Sequence, residues 1–151
     1  MIVPQVYELF FLWIEPIAIF LGGLQAIFDP IAHLQNFTPN LVPAIQPEYS
    51  VALYQLGACE IFMAGVEAFV LRIGRHDRRI WRTVLGFELV GDVVHAYGLW
   101  ITMGQALFSP TLWRPLEWIN IGMLILALLL RPGFLLGVGV KEIDLMGKKE
   151  V

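Results

Sequence analysis

Apolar residues run along this chain in long blocks with little polar interruption. Four blocks approach or exceed the roughly 20 residues that a helix needs to cross the hydrocarbon core of a bilayer. They span about 9–28, 49–72, 81–108 and 116–139. None has the polar face that a helix on the surface of a soluble bundle presents to water. Asp29-Pro30 closes the first block, because proline disfavours helix in the residue before it. The loop NFTPNLVPAIQPE follows, Ser109-Pro110 divides the third block from the fourth, and Arg131-Pro132 reads as a break near the end of the fourth. The pattern predicts an all-α polytopic membrane protein, a bundle of four transmembrane helices forming a single domain over 1–151.

Composition agrees. Of 151 residues, 58% are hydrophobic and 15% charged, whereas about 25% are charged in a typical soluble domain. A single cysteine excludes a disulfide framework and a cysteine-built zinc site. The net charge of −3 leaves no basic surface for nucleic acid. No basic stretch precedes the first block and no small-residue cleavage site follows it, so it does not read as a cleaved signal peptide.

The basic residues orient the bundle. RIGRHDRRIWR, residues 72–82, carries five of the ten, and the loop between the first two blocks carries none. The positive-inside rule places that segment and the C-terminal tail in the cytosol, and the even span count places the N-terminus with them. The run reads as a topological anchor, ahead of lipid recognition. Lys148-Lys149, in the tail KKEV, resembles the di-lysine retrieval signal of endoplasmic-reticulum membrane proteins and implies that membrane in a eukaryote.

The charges inside the blocks carry the chemical signal. Glu15, Glu60, Glu67, Glu88, Asp92 and Glu117 fall within them, with His95 and Asn120. Each charge near a bilayer centre costs at least about 2.5–3.5 kcal/mol, and a purely structural bundle is expected to use small residues and hydroxyls instead. Counting helix rise groups Glu15, Glu67 and Glu88 in a cytosolic layer and Glu60, Asp92, His95, Asn120 and Glu117 near the midplane. Glu88, Asp92 and His95 lie at i, i+4 and i+7, on one helix face.

A carboxyl in an apolar site stays protonated and donates a proton, while a neighbouring carboxylate accepts one; such split pairs mark acid/base catalysis. Glu60, Asp92, His95 and Glu88 are the candidate catalytic residues. Asn120, Glu117, Trp100, Tyr97, Trp118, Tyr54 and Glu15 are the candidates for binding a lipophilic substrate, the aromatics by packing or cation–π stabilisation. No cofactor and no metal are expected, since His95 is the one deep imidazole. The blander readings are a paired structural acid at any one position, Glu67 with Arg72, Glu117 as a helix-start charge, and ion transport without an inverted repeat to support it. His33 and His76 read as inert loop residues, and Cys59 as packing. Gly22, Gly23, Gly86 and Gly91 permit close helix contacts, including those of a homodimer.

The segments FFLWIEPIAIFLGG, ALYQLGACEIFMAGVEAFVLR, RIWRTVLGFELVGDVVHAYGLW and WRPLEWINIG resemble a family of small fungal four-helix membrane proteins. The resemblance rests on Glu15-Pro16, Gln55-Leu56-Gly57, Asp92 with His95, and Glu117-Trp118 with Asn120. Some proteins of that kind are linked to epoxide opening or cyclisation of polyene and terpenoid intermediates in secondary metabolism, which the resemblance implies here. A looser similarity, in span number, tail and intramembrane acids, is to the emopamil-binding sterol isomerase and sigma-two receptor superfamily; no residue is carried over from it. The expected activity is acid/base opening of an epoxide, by hydrolysis or cyclisation. A double-bond isomerase, a non-catalytic sterol- or lipid-binding protein and a helper subunit of another membrane enzyme are the alternatives.

Overall fold

The computed structural model describes residues 1–37, 45 and 47–141. Most of the loop after Phe37 and the Lys148-Lys149 pair lie outside the described residues. Among the described residues five main helices run in chain order. Helix α1 covers Gln5–Phe28, with a π-helical turn at Phe10–Ile14, and α2 is the short Pro30–Gln35. Helix α3 (47–73) is α-helical over Pro47–Gly65 and Leu71–Ile73 and π-helical over Val66–Val70. Helix α4 covers Arg78–Met103 and is prolonged by a 3₁₀ turn at Gly104–Phe108, and α5 covers Pro115–Leu135. Among the described residues three helical segments, Gln5–Phe28, Arg78–Phe108 and Pro115–Leu135, are long and apolar enough to cross a membrane. No strand forms among the described residues; Ile2 and Lys141 make one isolated antiparallel bridge.

The helix ends follow from local chemistry. The Asp29 side chain accepts from Ala32 N at 3.1 Å, with Pro30 opening α2, and the Asp77 side chain accepts from Arg79 N at 2.8 Å at the start of α4. Both satisfy amide groups that a helix N-terminus leaves orphaned. At the start of α5 the Glu117 carboxylate accepts from Arg114 N at 2.8 Å, three residues back, in a capping box that Pro115 pre-shapes. The expected break at Arg131-Pro132 is corrected: α5 runs through it to Leu135. It also stops before 139, because Gly137 and Gly139 adopt positive φ (85° and 72°) and turn the chain back toward Ile2.

Packing begins with two glycines. Helices α1 and α3 approach so closely at Gly23 and Gly57 that a Cβ on either would lie 2.7 Å from the other's carbonyl oxygen. Small residues at such crossings let backbones meet. Of the four glycines expected at helix contacts, Gly22 and Gly23 face α3 within the chain, whereas Gly86 and Gly91 face open space.

One end of the molecule gathers the first residues, the 74–77 turn and the 137–141 segment. There Trp81 stacks on Phe134 at 5.2 Å, Tyr7 meets Phe134 edge-on at 5.4 Å, and the Arg75 guanidinium donates twice to Glu8 at 2.8 Å. Pro16 has no N–H to give to the Leu12 carbonyl; the Arg72 guanidinium donates to that oxygen at 2.6 Å and lies 4.1 Å from the Trp13 ring centroid. At the opposite end, Leu99, Ile121 and Leu124 form a smaller apolar cluster against Phe37, and Arg114 donates to the Gln35 carbonyl. Large apolar side chains, among them Phe62, Phe87 and Leu129, face outward.

The Gly23–Gly57 crossing should be intolerant of a single methyl. Gly57→Ala is expected to lower stability by about 1–3 kcal/mol through overpacking against backbone, measured by thermal unfolding in detergent, whereas Gly65→Ala, at a site with open space, should leave it unchanged or higher.

Candidate functional site: an arginine among four carboxyls

Between the two apolar ends, four helices place charged side chains around one guanidinium. Arg131 of α5 is 1% exposed. Its Nη1 lies 2.5 Å from Asp92 Oδ2, and its Nη2 lies 3.0, 3.1 and 3.3 Å from carboxylate oxygens of Glu15, Glu67 and Glu88. Phe11 closes one side, its ring centroid 5.5 Å from the guanidinium carbon.

Backbone geometry aims these groups. Glu88 and Asp92 stand four apart on α4 and reach the same guanidinium from one helix face. Glu67 lies within the π-helical turn of α3, and Glu15 directly follows that of α1. The wider π turn rotates the residues beyond it relative to a regular helix, and such turns are frequent at functional sites.

Four carboxyls face one cation: the ion pairs give Arg131 four acidic partners, more than one guanidinium needs to balance its charge. Glu15 Oε2, Glu67 Oε2 and Arg131 Nε are buried without a hydrogen-bond partner among the described residues. Asp92 is the most open of the four acids, its side chain 14% exposed.

The structure thus brings together Glu15, Glu88 and Asp92 of the expected site, and joins Asp92 to the cytosolic-layer acids rather than to a separate midplane layer. Glu67 meets Arg131, not Arg72, which caps Leu12 instead. His95 lies one turn beyond Asp92, its ring 5.6 Å from that of Phe37. Glu60 stands apart, beside Gly22 and His33. Glu117 is tied to Arg114 at the helix start, and Asn120 Nδ2 is buried without a partner among the described residues. Trp100, Tyr97, Trp118 and Tyr54 lie on outward faces, Trp100 against Tyr97 and Trp118 against Trp113. Cys59 is exposed. Among the described residues no three His, Cys, Asp or Glu side chains are arranged to hold a metal ion.

Arg131 is the residue that sequence reasoning missed, having taken it for the marker of a break. Its signal was present: one arginine inside LALLLRPGFLL, in a chain whose apolar blocks hold six acids and need a counter-charge.

Removing that cation strands several buried carboxyls, and breaking a buried pair costs about 3–5 kcal/mol. Arg131→Met is expected to abolish recovery of monodisperse protein in detergent. Arg131→Lys, a point charge without the planar fork, should fold with a lowered Tm. Glu67→Gln added to Arg131→Met should restore part of the yield, by removing one acid that has lost its partner.

No curated protein and no solved structure matches the chain. A family model matches residues 1–141, nearly the whole length, and by that match the chain belongs to the family described as Domain of unknown function (DUF7704).

Proposed function

We propose that this protein is a four-span enzyme of the endoplasmic-reticulum membrane that opens an epoxide in a lipophilic polyketide or terpenoid, with the Arg131-bound carboxyls as its acid and base. The observation that carries the reading is the surplus of carboxyls over cations: a protonated and an ionised acid side by side are what such a step consumes. A protonated carboxyl gives its hydrogen to the epoxide oxygen as the carbon–oxygen bond breaks. A carboxylate takes a proton from the attacking water, giving a diol, or from a hydroxyl of the same molecule, giving a ring. The cluster ends the cycle with the number of protons it began with.

Asp92 is the group assigned to the reactive edge. It is the least buried of the four acids, Arg131 fixes its carboxyl, and His95 extends the same helix face toward the outside. A substrate dissolved in the bilayer meets that edge first. Three apolar helices support the membrane setting, and 47–73, which packs on α1, is the fourth span of the proposal. The grouping of the first residues, the arginine-rich turn and residue 141 at one end supports an orientation with both termini in the cytosol.

A second reading is favoured by the same contacts. Each of the four acids is already engaged by Arg131, as in a cluster whose work is to hold helices together in a non-catalytic lipid-binding protein.

Asp92→Asn, assayed in lipid nanodiscs against a panel of lipophilic epoxides with product structures determined, separates the two. On the enzymatic reading turnover falls by about 10²–10⁴-fold while the fold is kept. No product from any epoxide with the wild type favours the binding protein, and unchanged turnover in Asp92→Asn takes the acid/base role away from Asp92.

A further inference from the structure

His33 belongs to neither apolar end nor to the Arg131 cluster. It sits on the short helix α2, which Asp29 caps and which folds back beneath α1, and it is 2% exposed. Its Nε2 lies 4.0 Å from Glu60 Oε1 on α3, too far for a hydrogen bond. Neither ring nitrogen has a hydrogen-bond partner among the described residues, although the Gly22 backbone is close, and Glu60 Oε2 is likewise buried and unmet.

That is an unusual state for a buried imidazole. A neutral ring has one donor and one acceptor nitrogen, and leaving buried polar atoms unmet is costly. Burial pushes the His33 imidazole below its ordinary range, which keeps the ring neutral and its acceptor available. An oxygen seated beside the pair and hydrogen-bonded to each at about 2.8–3.0 Å joins partners about 4–5 Å apart, a range that takes in the 4.0 Å between His33 Nε2 and Glu60 Oε1.

The surroundings suit an apolar molecule carrying that oxygen. Phe37 lies edge-on to His33 at 5.1 Å and to His95 at 5.6 Å, so the notch and the Asp92–His95 face are joined through one aromatic ring. The Glu60 side chain is 22% exposed and opens beside the outward-facing Cys59. Gly22 makes room for it: a Cβ there would lie 2.9 Å from Glu60 Oε2.

We propose that His33 and Glu60 form a binding notch for the hydroxyl group of a lipophilic alcohol, which donates to one of them and accepts from the other. The inference rests on the reading of a membrane enzyme with a lipophilic substrate and narrows it to a hydroxylated one, anchored at the notch while its reacting part lies toward Asp92.

The test reads binding, not turnover. Full-length protein with isotope-labelled histidine, in lipid nanodiscs, is titrated with dodecan-1-ol and cholesterol and, in parallel, with their parent hydrocarbons dodecane and cholestane. His33→Asn assigns the His33 side-chain nitrogen signals. The expected result is a saturable shift of those signals with at least one alcohol and with neither hydrocarbon. Gly22→Ala, which displaces the Glu60 carboxyl but touches neither the ring nor Asp92, should weaken the alcohol's apparent affinity at least tenfold, and Glu60→Gln should do the same. If Glu60→Gln fails to fold, Gly22→Ala carries the comparison, because its added methyl meets only the end of a flexible side chain. The proposal is overturned if alcohol and hydrocarbon shift His33 alike, if none of the probes shifts it, or if Gly22→Ala binds like the wild type. A saturable notch in a protein whose wild type gives no product from any epoxide keeps the notch and removes the enzymatic reading; turnover without saturable alcohol binding removes the notch alone.

Discussion

Burying one guanidinium in an apolar bundle dictates much of the rest. Arg131 cannot sit in the interior of α5 without anions, and three neighbouring helices supply them. The carboxyls come from α1, α3 and α4, so the contact that neutralises the charge also fixes the lateral order of the helices. Apolar packing is non-directional and leaves helices free to slide or rotate. A forked donor with five N–H groups does not, because each carboxyl must arrive at a set height and azimuth. The two π-helical turns are where α1 and α3 depart from regular geometry, and both lie at an acid of the cluster.

The polar layer is sandwiched between regions of different character. On one side, Tyr7, Phe11, Trp81 and Phe134 interlock through aromatic edges and faces. On the other, a smaller cluster around Leu99 and Ile121 meets Phe37, and the polar atoms of His33, Glu60 and Asn120 are incompletely paired. The first region is held by ring contacts that reach across three helices, and the second by a smaller set of aliphatic contacts.

Much of this was legible in the sequence. Hydropathy located the helices, because a segment that cannot solvate its backbone in lipid must satisfy it internally. Asp29-Pro30 marked the end of the first helix, and Glu117 could be read as a helix-start charge, through chemistry that acts within three residues. The spacing of Glu88 and Asp92 placed them on one face, and both turn inward to Arg131. What failed was long-range or depended on reading one residue two ways. Arg131-Pro132 looks like a stop by local rules, yet proline removes one backbone bond and the four carboxyls hold the helix through it. His33 looks like a loop residue because α2 is only six residues long and has no period to detect. The aromatics Trp100, Tyr97, Trp118 and Tyr54 share helices with the acids, but sequence distance does not say which side of a helix meets a neighbour, and they face outward.

The contacts between the two ends of the described chain set the order in which the molecule can be completed. Glu15, Glu67, Glu88 and Asp92 all precede Arg131, and the bridge from Ile2 to Lys141 comes later still. During synthesis the four acids are made before their cation exists, and an acid buried without a counter-charge is cheaper neutral than ionised. Docking of α5 supplies the guanidinium, so the polar layer is completed only when the residues up to Arg131 are in place.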